Sequence, residues 1–183
     1  GEWPLKTVQA ELAQYGKVLW VCNTVNRVLQ ASDACVSGGL KPLLYHSRFR
    51  YEDRVMRHRD VIEAFSGDKP ALAVCTQVAE MSLDLSATLL ITDLAPVPSL
   101  IQRLGRLNRR ARAGDPTRPF VIVAPTSSTG EPLLAPYDIE TYGDWPPVSR
   151  RWLSMFPKEG ISQSDLASAW EGLDTCSEMR PPT

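Results

Sequence analysis

Five short apolar runs punctuate the chain: Val18–Cys22, Leu43–Tyr45, Ala71–Cys75, Thr88–Thr92 and Phe120–Ala124. They run on as unbroken apolar stretches instead of alternating with polar residues, the pattern of a parallel strand buried on both faces. Stretches with helical spacing lie between them. Leu5 to Tyr15 is stopped by Gly16, and Asn23-Thr24 caps a helix running to about Val36 that closes on Gly38-Gly39. A charged helix is predicted over Glu52 to Phe65, and another over Pro98 to about Arg110 with proline near its first turn. The order β-α-β-α-β-loop-β-α-β predicts an α/β fold, a parallel sheet sandwiched between helices. Ligands of such sheets sit at the carboxyl ends of the strands. Asn23-Thr24, His46 to Arg50, Thr76 to Asp84 and the helix after Asp93 all fall there.

Past Ala124 the pattern fades. Residues 125–149 are proline-rich and aperiodic, and Ser162 to Leu173 predicts a short amphipathic helix. The expected division is one domain over 1–125, followed over 126–183 by a proline-rich segment with a short helix that wraps the domain or links onward. A length of 183 residues suits a single domain of ordinary size, and 43% hydrophobic content supports a core without disulfides or metals.

A net charge of -1 points to neither a nucleic-acid nor a membrane partner, but its distribution says more. Segments 41–60 and 101–118 hold twelve of the twenty Lys and Arg residues against four acidic ones, which suits a transient grip on phosphates. Cys22, Cys35, Cys75 and Cys176 have no C-x-x-C spacing and read as free thiols of a reducing compartment. With no signal peptide and no long apolar run, a soluble, cytoplasmic protein without a membrane partner is expected. The chain opens on Gly1 without an initiator methionine, as a trimmed fragment would. With two histidines and no cluster at metal-ligand spacing, no protein-bound metal site is expected.

Residues 102–109 read Gln-Arg-Leu-Gly-Arg-Leu-Asn-Arg. On a helix, Arg106 and Arg109 project from one face, and forked permanent cations suit the negative charge spreading over a transferring γ-phosphoryl group. Gln102, one turn earlier, could orient a water or contact the nucleotide. Upstream lies Thr76-Gln-Val-Ala-Glu-Met-Ser-Leu-Asp84. Thr76 offers a hydroxyl and an N–H to a nucleic-acid phosphate, and Asp84 can accept hydrogen bonds from a ribose or merely cap a turn. Thr24, Ser47 and Arg48 could hold phosphates, with His46 or Phe49 supporting a base by stacking. Arg54, Arg57 and Arg59 read as a solvated helix face. His58-Arg59-Asp60 copies a kinase catalytic-loop tripeptide but lacks the other kinase parts. No G-x-x-x-x-G-K-[ST] phosphate loop occurs anywhere, so half of a nucleotide site is missing from the chain.

Together these strings resemble the second motor domain of superfamily 2 helicases. More narrowly, they resemble the CRISPR-associated helicase–nuclease family of type I interference systems. That likeness rests on Tyr45-His-Ser-Arg-Phe49 followed by Asp53-Arg54, on the 76–84 string, and on Pro98 to Arg109. It covers about residues 16–125. Many helicases carry Gly where this chain has Ser82, and the Ser-Leu-Asp ending is familiar in the CRISPR branch.

The resemblance implies a RecA-like fold and ATP with Mg²⁺, bound mainly by a first motor domain absent from this chain. It implies 3′-to-5′ travel on single-stranded DNA, a His-Asp nuclease domain in cis or trans, and recruitment by an RNA-guided surveillance complex. By position, Arg106 and Arg109 would be arginine fingers acting with Gln102, and Asp84 and Gly105 nucleotide contacts. Asn23, Thr24, Ser47, Arg48, Thr76 and Gln77 would be nucleic-acid contacts. Two other readings stay open: the same domain from another superfamily 2 DNA or RNA helicase, and a non-catalytic nucleic-acid-binding module.

Overall fold

The computed structural model describes residues 3–173, apart from Ala79, Met81, Ser82, Ala113 and Lys158. Two features read from the sequence, the Cys176 thiol and the Ser82 departure, lie outside the described residues. The apolar runs form β1 (Lys17–Val21), β2 (Leu43–Tyr45), β3 (Ala71–Cys75), β4 (Leu89–Asp93) and β5 (Phe120–Val123), each within one residue of the expected ends. They make an all-parallel sheet in the order β2-β3-β1-β4-β5. Register aligns the carboxyl ends: Val21 pairs with Cys75 and Thr92, and Tyr45 with Cys75. Loops leaving four strands therefore start from one edge.

Successive residues of β1 feed opposite faces. Val18 and Trp20 join Leu72, Val74, Leu89 and Ile91 in a core under α1 (Leu5–Ala13) and α2 (Val25–Ser37). Leu19 and Val21 join Ala73, Cys75 and Leu90 in a larger core under α3 (Tyr51–Ser66) and α4 (Val97–Leu104). Continuous apolar runs are what a sheet covered on both sides requires. Lys17 Nζ donates to the Ala64 and Gly67 carbonyls at 2.7 and 2.6 Å and also to Lys69 O, so a cation closes the carboxyl end of α3.

The segment after β5 folds onto the larger core through α5 (Ile139–Tyr142), α6 (Trp145–Ser154) and α7 (Gln163–Glu171). The aperiodic reading missed α6, whose Pro146 and Pro147 sit in the first turn, where a missing N–H costs nothing. Trp145, Trp152, Leu166 and Leu173 are all buried in that core. Trp145 Nε1 donates to Tyr137 O at 2.9 Å, and Ser149 Oγ donates to Ala95 O at 2.9 Å. Among the described residues, no helix is long and apolar enough to cross a membrane.

Candidate nucleotide and nucleic-acid site

At the carboxyl edge, β2 and β3 end side by side on His46 and Thr76. Thr76 is only 3% exposed, its N–H is given to Tyr45 O at 3.2 Å, and its hydroxyl has no partner among the described residues. His46 is buried too, with Nδ1 unpaired. Its ring stacks on Phe49 at 4.0 Å with 10° between planes, and the Arg57 guanidinium also lies over Phe49, at 4.2 Å. Both groups already pack on the Phe49 ring. Arg57 is exposed, as the solvated helix face predicts, and from there its guanidinium covers this stack. Burial, then the Arg57 and Arg48 charges, push the His46 pKa down and keep the imidazole neutral.

Ser47 and Arg48 stand exposed beside this stack. Thr24 caps α2 by accepting the Arg27 N–H at 3.3 Å. Gln77 is half-buried, and its carbonyl takes the Glu80 N–H at 2.9 Å.

The arginine segment departs from expectation. The helix does not reach Arg110: α4 ends at Leu104 with Gly105 as its cap. Asn108 then adopts φ 52°, a left-handed conformation a continuing helix cannot hold. The turn is stitched instead to the lead-in of β4, where Ala87 N–H donates to Arg106 O and Asn108 N–H to Ala87 O, both at 2.8 Å. A Cβ on Gly105 would lie 3.3 Å from the Gln102 and Ile101 carbonyls, so the turn is tight there.

The side chains still converge. Gln102, Gly105, Arg106 and Arg109 line one cleft of about 430 Å³ that Gln163 and Leu166 of α7 also line. Arg106 Nη2 donates to the Glu80 carbonyl, and Arg109 Nε meets Asp84 Oδ1 at 3.1 Å. Asp84 and Arg109 are 76% and 41% exposed, so their pair is weak and exchangeable. Both arginines thus rest on the loop that leaves Thr76.

A third arginine, passed over in the sequence, anchors the arrangement. Arg103 is fully buried and makes five hydrogen bonds. Nε donates to Glu80 Oε1 at 2.8 Å and Nη2 to the Tyr137 hydroxyl at 3.0 Å. Nη1 donates to Asn23 Oδ1, Thr92 Oγ1 and Asp93 O at 3.0, 2.8 and 3.1 Å. Burial raises the Glu80 pKa, and the Arg103 charge and hydrogen bond pull it back. The available signal was spacing: position 103 shares a helix face with the apolar Val97 and Leu100.

Asn23 needs a correction. Its side chain is 2% exposed and spent internally, Nδ2 on Leu94 O at 2.8 Å and Oδ1 on Arg103, while its N–H goes to Asp93 Oδ2 at 3.0 Å. It braces the strand ends and offers nothing to a nucleic acid. Asp93, fully buried, is also held by Arg27 at 2.8 and 3.3 Å.

The donors of the cleft fit an anion whose charge is spread over several oxygens: two guanidiniums, an amide, and main chain bare of a Cβ at Gly105. They fit one end of a nucleoside triphosphate, and the sequence supplies no loop to wrap the rest.

Comparison with known proteins bears on the family and the fold. The family model described as CRISPR-associated nuclease/helicase Cas3, C-terminal, matches residues 14–112. A protein named as a CRISPR-associated nuclease/helicase Cas3 in Myxococcus xanthus is 52% identical over 170 residues, covering 91% of this chain and 21% of that protein. The crystal structure of T. fusca Cas3 with AMPPNP superposes with a TM-score of 0.71 at 28% identity, over 96% of this chain and 22% of that one. A chain of a CRISPR RNA-guided surveillance complex, pre-nicking, superposes with a TM-score of 0.61 at 25% identity, over 94% of this chain and 24% of that one. The chain spans between a fifth and a quarter of the length of these three proteins.

Proposed function

The chain belongs to the CRISPR-associated nuclease/helicase Cas3, C-terminal, family, and from that premise we propose that it is the second motor domain of an ATP-dependent helicase travelling 3′ to 5′ on single-stranded DNA. The observation that carries the reading is the shared cleft wall of Gln102, Gly105, Arg106 and Arg109, with both arginines resting on the loop that begins at Thr76.

ATP with Mg²⁺, held mainly by a first motor domain, supplies the scissile phosphoanhydride. Against it this chain presents two permanent cations. Arg109 exchanges its exposed Asp84 partner for phosphoryl oxygens, and Arg106 reaches from the Glu80 carbonyl into the same cleft. The charge gathering there in the transition state strengthens both contacts, which is how fingers of this kind accelerate transfer by about 10³–10⁵. Gln102 orients the attacking water, and Asp84 and Gly105 border the nucleotide. Thr24, Ser47, Arg48, Thr76 and Gln77 hold the sugar–phosphate backbone of the strand. The partners are the first RecA-like domain, a His-Asp nuclease domain in cis or trans, and an RNA-guided surveillance complex in the cytoplasm; the surveillance-complex match supports the last of these.

Alone, the chain should hydrolyse essentially no ATP and bind DNA weakly, without sequence preference, and less as salt rises. In the intact motor, Arg109→Ala should cut hydrolysis by at least about tenfold with nucleotide affinity kept. Unchanged turnover in that variant would falsify the finger assignment.

A further inference from the structure

The turn carrying Arg106 and Arg109 is fixed from two sides. Its inner side is sewn to Ala87 by the Arg106 carbonyl and the Asn108 N–H. The carbonyl between them, that of Leu107, takes its hydrogen bond from Gln163 Nε2 at 3.1 Å, a residue 56 positions further along the chain at the start of α7. Gln163 is not needed to cap its own helix: Ser162 Oγ accepts the Asp165 N–H at 3.2 Å and does that work. Leu166, one turn on, is buried against the larger core and holds α7 in place. Gln163 and Leu166 also form the far wall of the cleft in which the two arginines stand.

We infer that Gln163 is a positioning residue for phosphoryl transfer, fixing through the Leu107 carbonyl the turn that aims Arg106 and Arg109. The inference rests on the finger reading above and extends it to the segment that follows β5. An exposed glutamine on a helix with its own cap has little to do for stability, yet its amide reaches the peptide between the two catalytic candidates. Past Gly105 the turn keeps only i→i−3 bonds of its own, from Arg106 and Leu107, so its alignment depends on external partners: Ala87 on one side and Gln163 on the other.

The test uses the intact helicase carrying this domain. Gln163→Ala should lower the kcat of DNA-stimulated ATP hydrolysis by about three- to tenfold, the range one aiming hydrogen bond can supply. KM for ATP should stay within about twofold, and the melting temperature should not move. Gln163→Glu keeps length and helix propensity but loses the donor, so it should be at least as slow. Because Gln163 acts through the two fingers, Gln163→Ala should cost less in an Arg109→Ala background, where only Arg106 is left to aim.

A wild-type rate in either Gln163 variant, or an equal fold-loss with and without Arg109, overturns the inference. If Arg109→Ala slows the enzyme and Gln163→Ala does not, the fingers stand and only the positioning role falls. If Arg109→Ala is itself silent, the finger reading fails and takes this inference with it.

Discussion

Arg103→Met replaces a buried guanidinium by a side chain of similar reach and no charge. The wild-type residue is fully buried, and its five hydrogen bonds end on Glu80, Asn23, Thr92, Asp93 and Tyr137. Methionine fills much of the volume, so a cavity is a minor part of the cost. The major part is the partners left behind, Glu80 above all. Removing one member of a buried, hydrogen-bonded pair costs about 3–5 kcal/mol. With a urea m-value of about 2 kcal/mol/M, the midpoint of unfolding should fall by about 1.5–2.5 M, read by tryptophan fluorescence. The loss should depend on pH. Burial already raises the Glu80 pKa, and without Arg103 nothing pulls it back. The folded protein then takes up a proton at Glu80 that the unfolded chain binds only near its ordinary 4.5. Stability is therefore regained as pH falls through the raised folded pKa, and the deficit should shrink as pH falls towards 4.5. Adding Glu80→Gln should recover part of it at neutral pH. A deficit below about 1 kcal/mol, or one that ignores both pH and Glu80→Gln, would refute the picture of Arg103 as a charged anchor.

Two further outcomes are expected. Trp152→Ala, at a fully buried ring 4.6 Å from Phe156, should cost about 3–5 kcal/mol in the same urea assay, and a change under about 1 would mean that α6 is not part of the core. His46 is held neutral by burial and by Arg57 and Arg48, so its folded pKa lies below 6.5 and stability should decline as pH falls through that value. His46→Phe keeps a ring on Phe49 and should flatten that decline; a slope identical to wild type would show that another group titrates.

The strands were readable because a sheet covered on both faces leaves an unbroken apolar run, and Ala71–Cys75 could hardly be anything else. The meeting of Thr76 and His46 at the carboxyl edge followed from topology alone, whereas α4 runs back across the sheet and delivers the arginine turn to Ala87, ahead of β4. The end of α4 was not readable, because the string 102–109 contains no residue that forbids a helix. Gly105 permits one, and Asn108 turns left-handed only because Ala87 offers its peptide groups alongside. Asn23 was misplaced for a related reason: a polar residue at a strand end looks like a ligand contact until a buried arginine 80 positions away claims its amide. Two prolines hid α6 by suggesting a break where they mark a first turn.

The three arginines of the 102–109 string share a landing place: Arg103 on the Glu80 side chain, Arg106 on the Glu80 carbonyl, Arg109 on Asp84. The peptide groups of Ala87 meanwhile splice the arginine turn to the approach of β4. For anyone recombining related motors, the exchangeable cassette is consequently residues 76–110 as a block. A chimaera cut anywhere inside it would join two halves of a mortise shaped in different molecules, however well each half aligned.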